Sequence, residues 1–106
     1  MSSKQSTVDF LVDQMSLAGE IRYQKMFGEY AIYCDNKVVA LVCDDLLYIK
    51  PTQNGQKIIG EVILKSPYPG AKQYFYISGD LAEDNVWLSK IIQETASFLP
   101  VTKLKK

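Results

Sequence analysis

Ile21-Arg-Tyr-Gln-Lys-Met-Phe-Gly28-Glu-Tyr-Ala-Ile-Tyr-Cys-Asp35-Asn36-Lys37-Val-Val-Ala-Leu-Val-Cys43-Asp44-Asp45-Leu46-Leu-Tyr-Ile-Lys50 is the stretch that decides the fold. Its apolar residues recur with a period of two, and Asp35-Asn36 and Asp44-Asp45 have the composition of two-residue hairpin turns. The stretch therefore predicts strands over Ile21–Asp35, Lys37–Cys43 and Leu46–Lys50, joined as an antiparallel meander. Gly28 interrupts the first of them. A glycine inside a strand pattern marks a bulge, a bend or a close backbone approach, and a tight turn dividing the segment into two strands fits the same residues.

Upstream, Ser6 is placed to cap a helix with Asp9 three residues on, and Val8, Leu11, Val12 and Met15 recur at helical spacing until Gly19. Downstream, Pro51 stops the third strand because proline cannot donate to the ladder. Thr52 suits the N-cap of a short helix through Lys57, Ile58 and Ile59, closed by Gly60. Val62–Lys65 reads as a short strand, Pro67-Tyr68-Pro69-Gly70 as a loop and Lys72–Ser78 as a strand rich in Tyr and Phe. Asp80, Glu83 and Asp84 lie where a helix N-terminus favours negative charge. The final helix aligns Leu88, Ile91, Ile92, Thr95 and Leu99 and ends at Pro100. The predicted order is α-β-β-β-α-β-β-α, a two-layer α+β domain with helices packed on one face of an antiparallel sheet.

If the two turns fix the register, one face of the meander carries Ala31, Tyr33, Val38, Ala40, Val42, Leu47 and Ile49, and is expected to be the core. The other carries Tyr30, Ile32, Cys34, Lys37, Val39, Leu41, Cys43, Leu46, Tyr48 and Lys50. This second face mixes aliphatic bodies with polar tips, so it is expected to be at least partly open and to serve a partner or self-association contact through Tyr30, Ile32, Val39, Leu41, Tyr48 and Lys50. The competing arrangement folds the last helix or the Pro-rich loop over it.

Composition narrows the chemistry. The chain has 106 residues, enough for one domain with its own core, and contains no histidine. That absence removes the usual general base, the Ser-His and Cys-His pairs and the commonest zinc ligand. Twelve basic residues balance twelve acidic ones, yet Lys103, Lys105 and Lys106 lie in the last four positions. Residues 1–100 thus form a mildly acidic body with a short basic tail, unlike a dedicated nucleic-acid binder. No apolar run approaches the roughly 18 residues of a membrane span, and the N-terminus lacks the pattern of a signal peptide, so a cytoplasmic protein is expected.

Cys34 and Cys43 match no metal spacing. In the expected register Cys43 lies six residues beyond Lys37, about 20 Å away along the strand, whereas a disulfide needs Cα atoms within about 7 Å. Asn54-Gly55-Gln56-Lys57 lacks the rest of a phosphate loop. Asp44-Asp45, an adjacent carboxylate pair, is explained by its hairpin tip. Tyr68, Tyr74, Phe75 and Tyr76, with Lys65 and Lys72, suggest a stacking platform for single-stranded nucleic acid, although alternation sends Phe75 to the opposite side from Tyr74 and Tyr76. No catalytic residue, cofactor site or metal site is expected.

The segment Arg22-Tyr-Gln-Lys25-Met26-Phe27-Gly28-Glu29-Tyr30-Ala-Ile32-Tyr33 resembles the N-terminal domain of TfoX-type proteins, whose hallmark is an Arg, then Lys-Met-Phe-Gly, then an aromatic strand. The likeness continues through Lys37–Asp44, Leu47-Tyr48-Ile49-Lys50-Pro51-Thr52, Tyr68-Pro69-Gly70 and Trp87-Leu88, roughly residues 6–100. The resemblance implies a secretion-chaperone-like fold and favours one long strand bent at Gly28. It also implies a family of competence regulators whose full-length members carry a second, C-terminal domain, so this chain is expected to be a stand-alone first domain with its tail at 101–106. Within the motif, Met26 and Phe27 are expected in the core, Gly28 at a backbone requirement, Arg22 and Lys25 at a polar edge, and Tyr30 on the aromatic strand. The expected function is a non-enzymatic regulatory or protein-interaction domain that contacts a protein partner or a second copy of itself as a homodimer. The alternative is a nucleic-acid-binding regulator using the basic tail and Tyr-rich strand.

Overall fold

A computed structural model describes residues 3–26 and 29–99. Helix α1 (Gln5–Gln14) and a 3-10 turn (Ser16–Ala18) lead into strands β1 (Ile21–Met26), β2 (Glu29–Cys34), β3 (Lys37–Cys43) and β4 (Leu46–Ile49). Helix α2 (Gln53–Ile59), strands β5 (Leu64–Lys65) and β6 (Tyr74–Ile77), and helices α3 (Gly79–Ala82) and α4 (Asn85–Phe98) complete the order. All six strands join one antiparallel sheet in the order β1-β2-β3-β4-β6-β5. The α+β class and the antiparallel sheet agree with expectation, and the order of elements does so apart from one additional strand before α2 and the short helix α3 before α4.

Ile21–Asp35 is two strands. Met26 pairs with Glu29 and Ile21 with Cys34, so β1 and β2 form a hairpin and the meander has four strands. The turn reading replaces the single bent strand; Phe27 and Gly28 themselves lie outside the described residues. The other two hairpins have the anticipated two-residue turns. Asp35, Asn36, Asp44 and Asp45 all have φ between 51° and 70°, the left-handed backbone that such turns require and that Asp and Asn tolerate best among residues with a side chain.

The larger correction concerns the faces. Tyr33 pairs with Val38, yet Ile32 pairs with Ala40, so Val39 is an extra residue in β3. This β-bulge shifts the register by one, and with a side-chain period of two a one-residue shift exchanges the faces. Tyr30, Ile32, Cys34 and Val39 therefore join Ala40, Val42, Leu47 and Ile49 in the core against the helices. Ala31, Tyr33 and Val38 fall on the opposite face with Leu41, Cys43, Leu46 and Tyr48. Tyr30, Ile32 and Val39, expected at an open surface, are at most 3% exposed.

Helix α4 covers the core. Leu88, Ile91, Ile92 and Thr95 are fully buried at the helical spacing read from the sequence, and the Thr95 hydroxyl is satisfied by donating to the Ile91 carbonyl at 2.7 Å. The acidic cluster serves two helix starts rather than one. Ser78 caps α3 through the Leu81 amide, and Asp84 caps α4 through the Trp87 amide at 3.0 Å. Ser6 caps nothing, because the cap position is two residues earlier, at Lys4, and Ser6 lies inside α1. The start of α1 is instead held from outside: the Lys4 amide donates to Asp45 Oδ1 at 2.8 Å, and Ser3 Oγ donates to Glu29 Oε1 at 2.6 Å.

Thr52 caps α2 as expected, its hydroxyl accepting from the Gly55 amide at 2.9 Å. Thr52→Ala leaves that buried amide without its partner and is expected to cost about 1 kcal/mol. A lower urea midpoint with an unchanged m-value is the readout.

Candidate contact surface on the open sheet face

Opposite the helices, the sheet presents Ala31 and Tyr33 from β2, Leu41 and Cys43 from β3, Leu46 and Tyr48 from β4, and Tyr74 and Tyr76 from β6. Aromatic rings organise it. Tyr48 and Tyr76 lie opposite each other across β4 and β6, with centroids 5.9 Å apart. The Lys65 ammonium sits 4.7 Å from the Tyr76 ring centre, and the Arg22 guanidinium 5.1 Å from that of Tyr33, both in cation-π range. Phe75 points the other way into the core, as alternation requires.

The Pro-rich loop reaches over this face at the Asp44-Asp45 end. Pro67, Tyr68 and Pro69 border a groove of about 630 Å3 whose other walls are Met26, Glu29, Tyr30, Leu41, Cys43 and Asp44. The loop thus roofs one end of this face, where Ala31, Cys43 and Tyr48 are at most 4% exposed, while Tyr33, Leu41, Leu46, Tyr74 and Tyr76 are half-buried. The groove volume falls within the roughly 300–1,000 Å3 of ligand pockets. Met26, expected in the core, is instead 42% exposed, and Tyr68 across the groove is 55% exposed.

Two polar groups lining the groove, Glu29 and the Tyr30 hydroxyl, have partners within the domain. Glu29 accepts from the Asp44 amide with both oxygens, at 3.1 and 3.2 Å, as well as from Ser3. It therefore stabilises the β3–β4 turn. Asp45 accepts from the Lys4 amide, which holds its carboxyl below the usual range, with smaller help from the Thr7 hydroxyl and the Lys4 charge and an opposing effect from partial burial. Burial raises the phenol of Tyr48, with smaller contributions from Cys43, Tyr76 and Asp44. Tyr74 is raised in the same way, beside Tyr68 and Cys43.

Cys34 and Cys43 are both free thiols, on opposite faces of the sheet. Burial pushes each up to about 11, aided by Asp35 at Cys34 and by Glu29 and Asp44 at Cys43. Thiolate is the reactive form, so native protein at pH 8 is expected to react with a thiol reagent far more slowly than unfolded protein. Both thiols ionise near pH 9 when unfolded but near 11 when folded, so the unfolded state releases protons first. Stability is expected to fall as pH rises from about 9 to about 11, read as a declining melting temperature. Among the described residues no group of three His, Cys, Asp or Glu could hold a metal ion, and no helix is long and apolar enough to cross a membrane.

The motif residues separate spatially. Arg22 and Lys25 lie exposed on β1, where a polar edge was expected, and Arg22 Nη2 also donates to Asn36 Oδ1 at 2.9 Å. Tyr30 is buried and its hydroxyl donates to Gln5 Oε1 at 3.2 Å. Leu41 and Lys50, from the expected open-face set, are half-buried, whereas Tyr48 is buried. The family model for the TfoX N-terminal domain matches residues 13–99. The chain belongs to that family. This TfoX-type domain is also 37% identical over its full 106 residues to an uncharacterized 12.7 kDa protein in the trpE 5' region of Spirochaeta aurantia, covering 91% of that protein. The match spans every element of the TfoX-type domain except the first part of α1. The groove had a sequence signal in Tyr68-Pro69-Gly70, but nothing local in the sequence says which strands that loop crosses.

Proposed function

We propose that this TfoX-type domain is a non-enzymatic, cytoplasmic interaction module that works by holding a protein partner against its open sheet face. The observation that carries this reading is the groove beneath Pro67–Pro69. It is walled mainly by apolar and aromatic side chains, with Met26 and Tyr68 left substantially exposed at its rim. Exposed apolar surface next to a rigid sheet is what contact sites retain and monomer surfaces usually avoid. Two groups that chemistry would draw on are committed elsewhere: Glu29 accepts from the β3–β4 turn, and Cys43 is a buried thiol held protonated.

The test is site-specific photocrosslinking in the native cells, with the probe placed at Tyr68 and, as control, at Phe10 on α1. One discrete adduct formed from Tyr68 and not from Phe10 supports the reading. Absence of any adduct from Tyr68 refutes it.

A nucleic-acid reading has one favouring observation, the Lys65 ammonium over the Tyr76 ring, on a chain segment that also exposes Tyr68 and Lys72. It requires a shift of labelled single-stranded DNA at low salt that weakens as salt rises. Homodimer formation is read by sedimentation, and a strict monomer at high micromolar concentration eliminates it.

A further inference from the structure

Strand β1 is one edge of the sheet, and its hydrogen bonds can be assigned residue by residue. The Asp35 amide donates to the Glu20 carbonyl at 2.9 Å, and hydrogen-bonded pairs alternate along an antiparallel ladder. With the register Ile21↔Cys34 through Met26↔Glu29, Arg22, Gln24 and Met26 spend their main-chain groups on β2. Ile21, Tyr23 and Lys25 therefore point three N–H and three C=O groups outward, away from the sheet. No strand among the described residues lies on that side, and all of β1 except Ile21 is exposed.

Edges of this kind are normally blunted by proline, a bulge, shortness or charged side chains. Residues Ile21–Met26 contain no proline, pair with β2 without a register shift and run for six residues. The far edge, β5, has only two residues. What β1 does carry is charge of one sign. Arg22 and Lys25, on opposite faces of the strand, are basic, the strand holds no carboxylate, and the partners described for Arg22, Asn36 and Tyr33, are neutral. Residues 1–100 outside β1 lean acidic, with seven basic residues against twelve acidic.

We propose that the β1 edge is a docking line for an extended acidic segment of a partner protein, which adds to the sheet as a seventh strand. Its main chain meets the outward groups of Ile21, Tyr23 and Lys25, as in strand-addition complexes generally. Its carboxylates meet Arg22 on one face and Lys25 on the other, while its apolar positions meet exposed Tyr23 and Met26. The same charges discriminate against a second copy of this chain, since edge-to-edge pairing brings four cations together with no carboxylate from either strand. The inference rests on the interaction reading above and names the chemistry of the partner.

The test uses the intact chain, amide hydrogen exchange read by NMR, and the capped hexapeptide Thr-Glu-Val-Thr-Glu-Val, whose glutamates three apart fall on opposite faces of a strand, at concentrations up to about 1 mM, the scale for a weak complex. Exchange at Ile21, Tyr23 and Lys25 is expected to slow by about tenfold near saturation. The amides of Arg22 and Gln24, already bonded to β2, change little. The same peptide with lysine for glutamate produces no effect, and Arg22→Glu/Lys25→Glu weakens the acidic peptide by about tenfold or more. Tyr23→Pro supplies a second check: it removes an outward donor without touching the β1–β2 bonds, and should abolish protection at Lys25.

An absence of protection, equal protection by the lysine peptide, or slowed exchange caused by self-association overturns the proposal. So does perturbation confined to Leu41, Cys43 and Tyr68; that outcome leaves the interaction reading intact and moves the contact to the groove. Loss of the Tyr68 crosslink with retained edge protection has the opposite meaning.

Discussion

Ile32→Ala is expected to lower the unfolding free energy by about 2–5 kcal/mol, the range for deleting most of a fully buried aliphatic side chain. Ile32 is 0% exposed, in contact with the helical layer. The paired comparison of Val38→Ala and Val39→Ala isolates the bulge. Val39 is fully buried and should cost about 2 kcal/mol, from two lost methyl groups and the cavity they leave. Val38, half-buried on the other face, should cost under about 1 kcal/mol. An unbulged β3 reverses the ranking, because it places Val38 beside Ala40 in the core and turns Val39 outward. Urea unfolding of the three variants decides between the registers.

Gly55→Ala should destabilise although it lies in a helix. Helix propensity alone favours alanine over glycine by about 1 kcal/mol. Here, however, a Cβ at position 55 would lie 2.8 Å from Thr52 Oγ1 and 3.3 Å from the Phe75 ring. The hydroxyl cannot yield without breaking the cap it makes to the Gly55 amide, and the ring is only 4% exposed within the core. Overpacking of about 1–3 kcal/mol plus loss of a cap worth about 1 outweighs the propensity gain, leaving a net loss of about 2 kcal/mol. A rise in melting temperature for Gly55→Ala contradicts this packing account. The glycine that suggested a fragment of a phosphate loop is thus accounted for by the close approach of α2 to β6.

The same particulars show what the sequence made legible. Asp35-Asn36 and Asp44-Asp45 identified two hairpins because few residue pairs tolerate two consecutive left-handed conformations, and they adopt them here. The buried stripe of α4 was readable because Leu88, Ile91, Ile92 and Thr95 repeat at the helical period. The bulge was not. Val38 and Val39 are the same residue type in a strand apolar on both sides, so no break in the pattern marks where alternation slips. The division of Ile21–Asp35 was undetermined for a related reason, since one glycine serves a bend or a turn, and the family resemblance favoured the wrong one. The groove and the open edge depend on which strands become neighbours, and only the assembled sheet specifies that.

The tethers of α1 bear on the order in which the molecule assembles. Ser3 bonds to Glu29 and Lys4 to Asp45, while near the other end of the helix Gln14 bonds to Ala82 and Ser89, separations of 26 to 75 residues. The first helix of the domain thus acquires its fixed position only after the meander and α4 exist. Its ten residues are too few to hold a helix alone in water. The amphipathic α1 is therefore fixed only once α4 has formed, so completion of this domain is governed by long-range closure rather than by local growth.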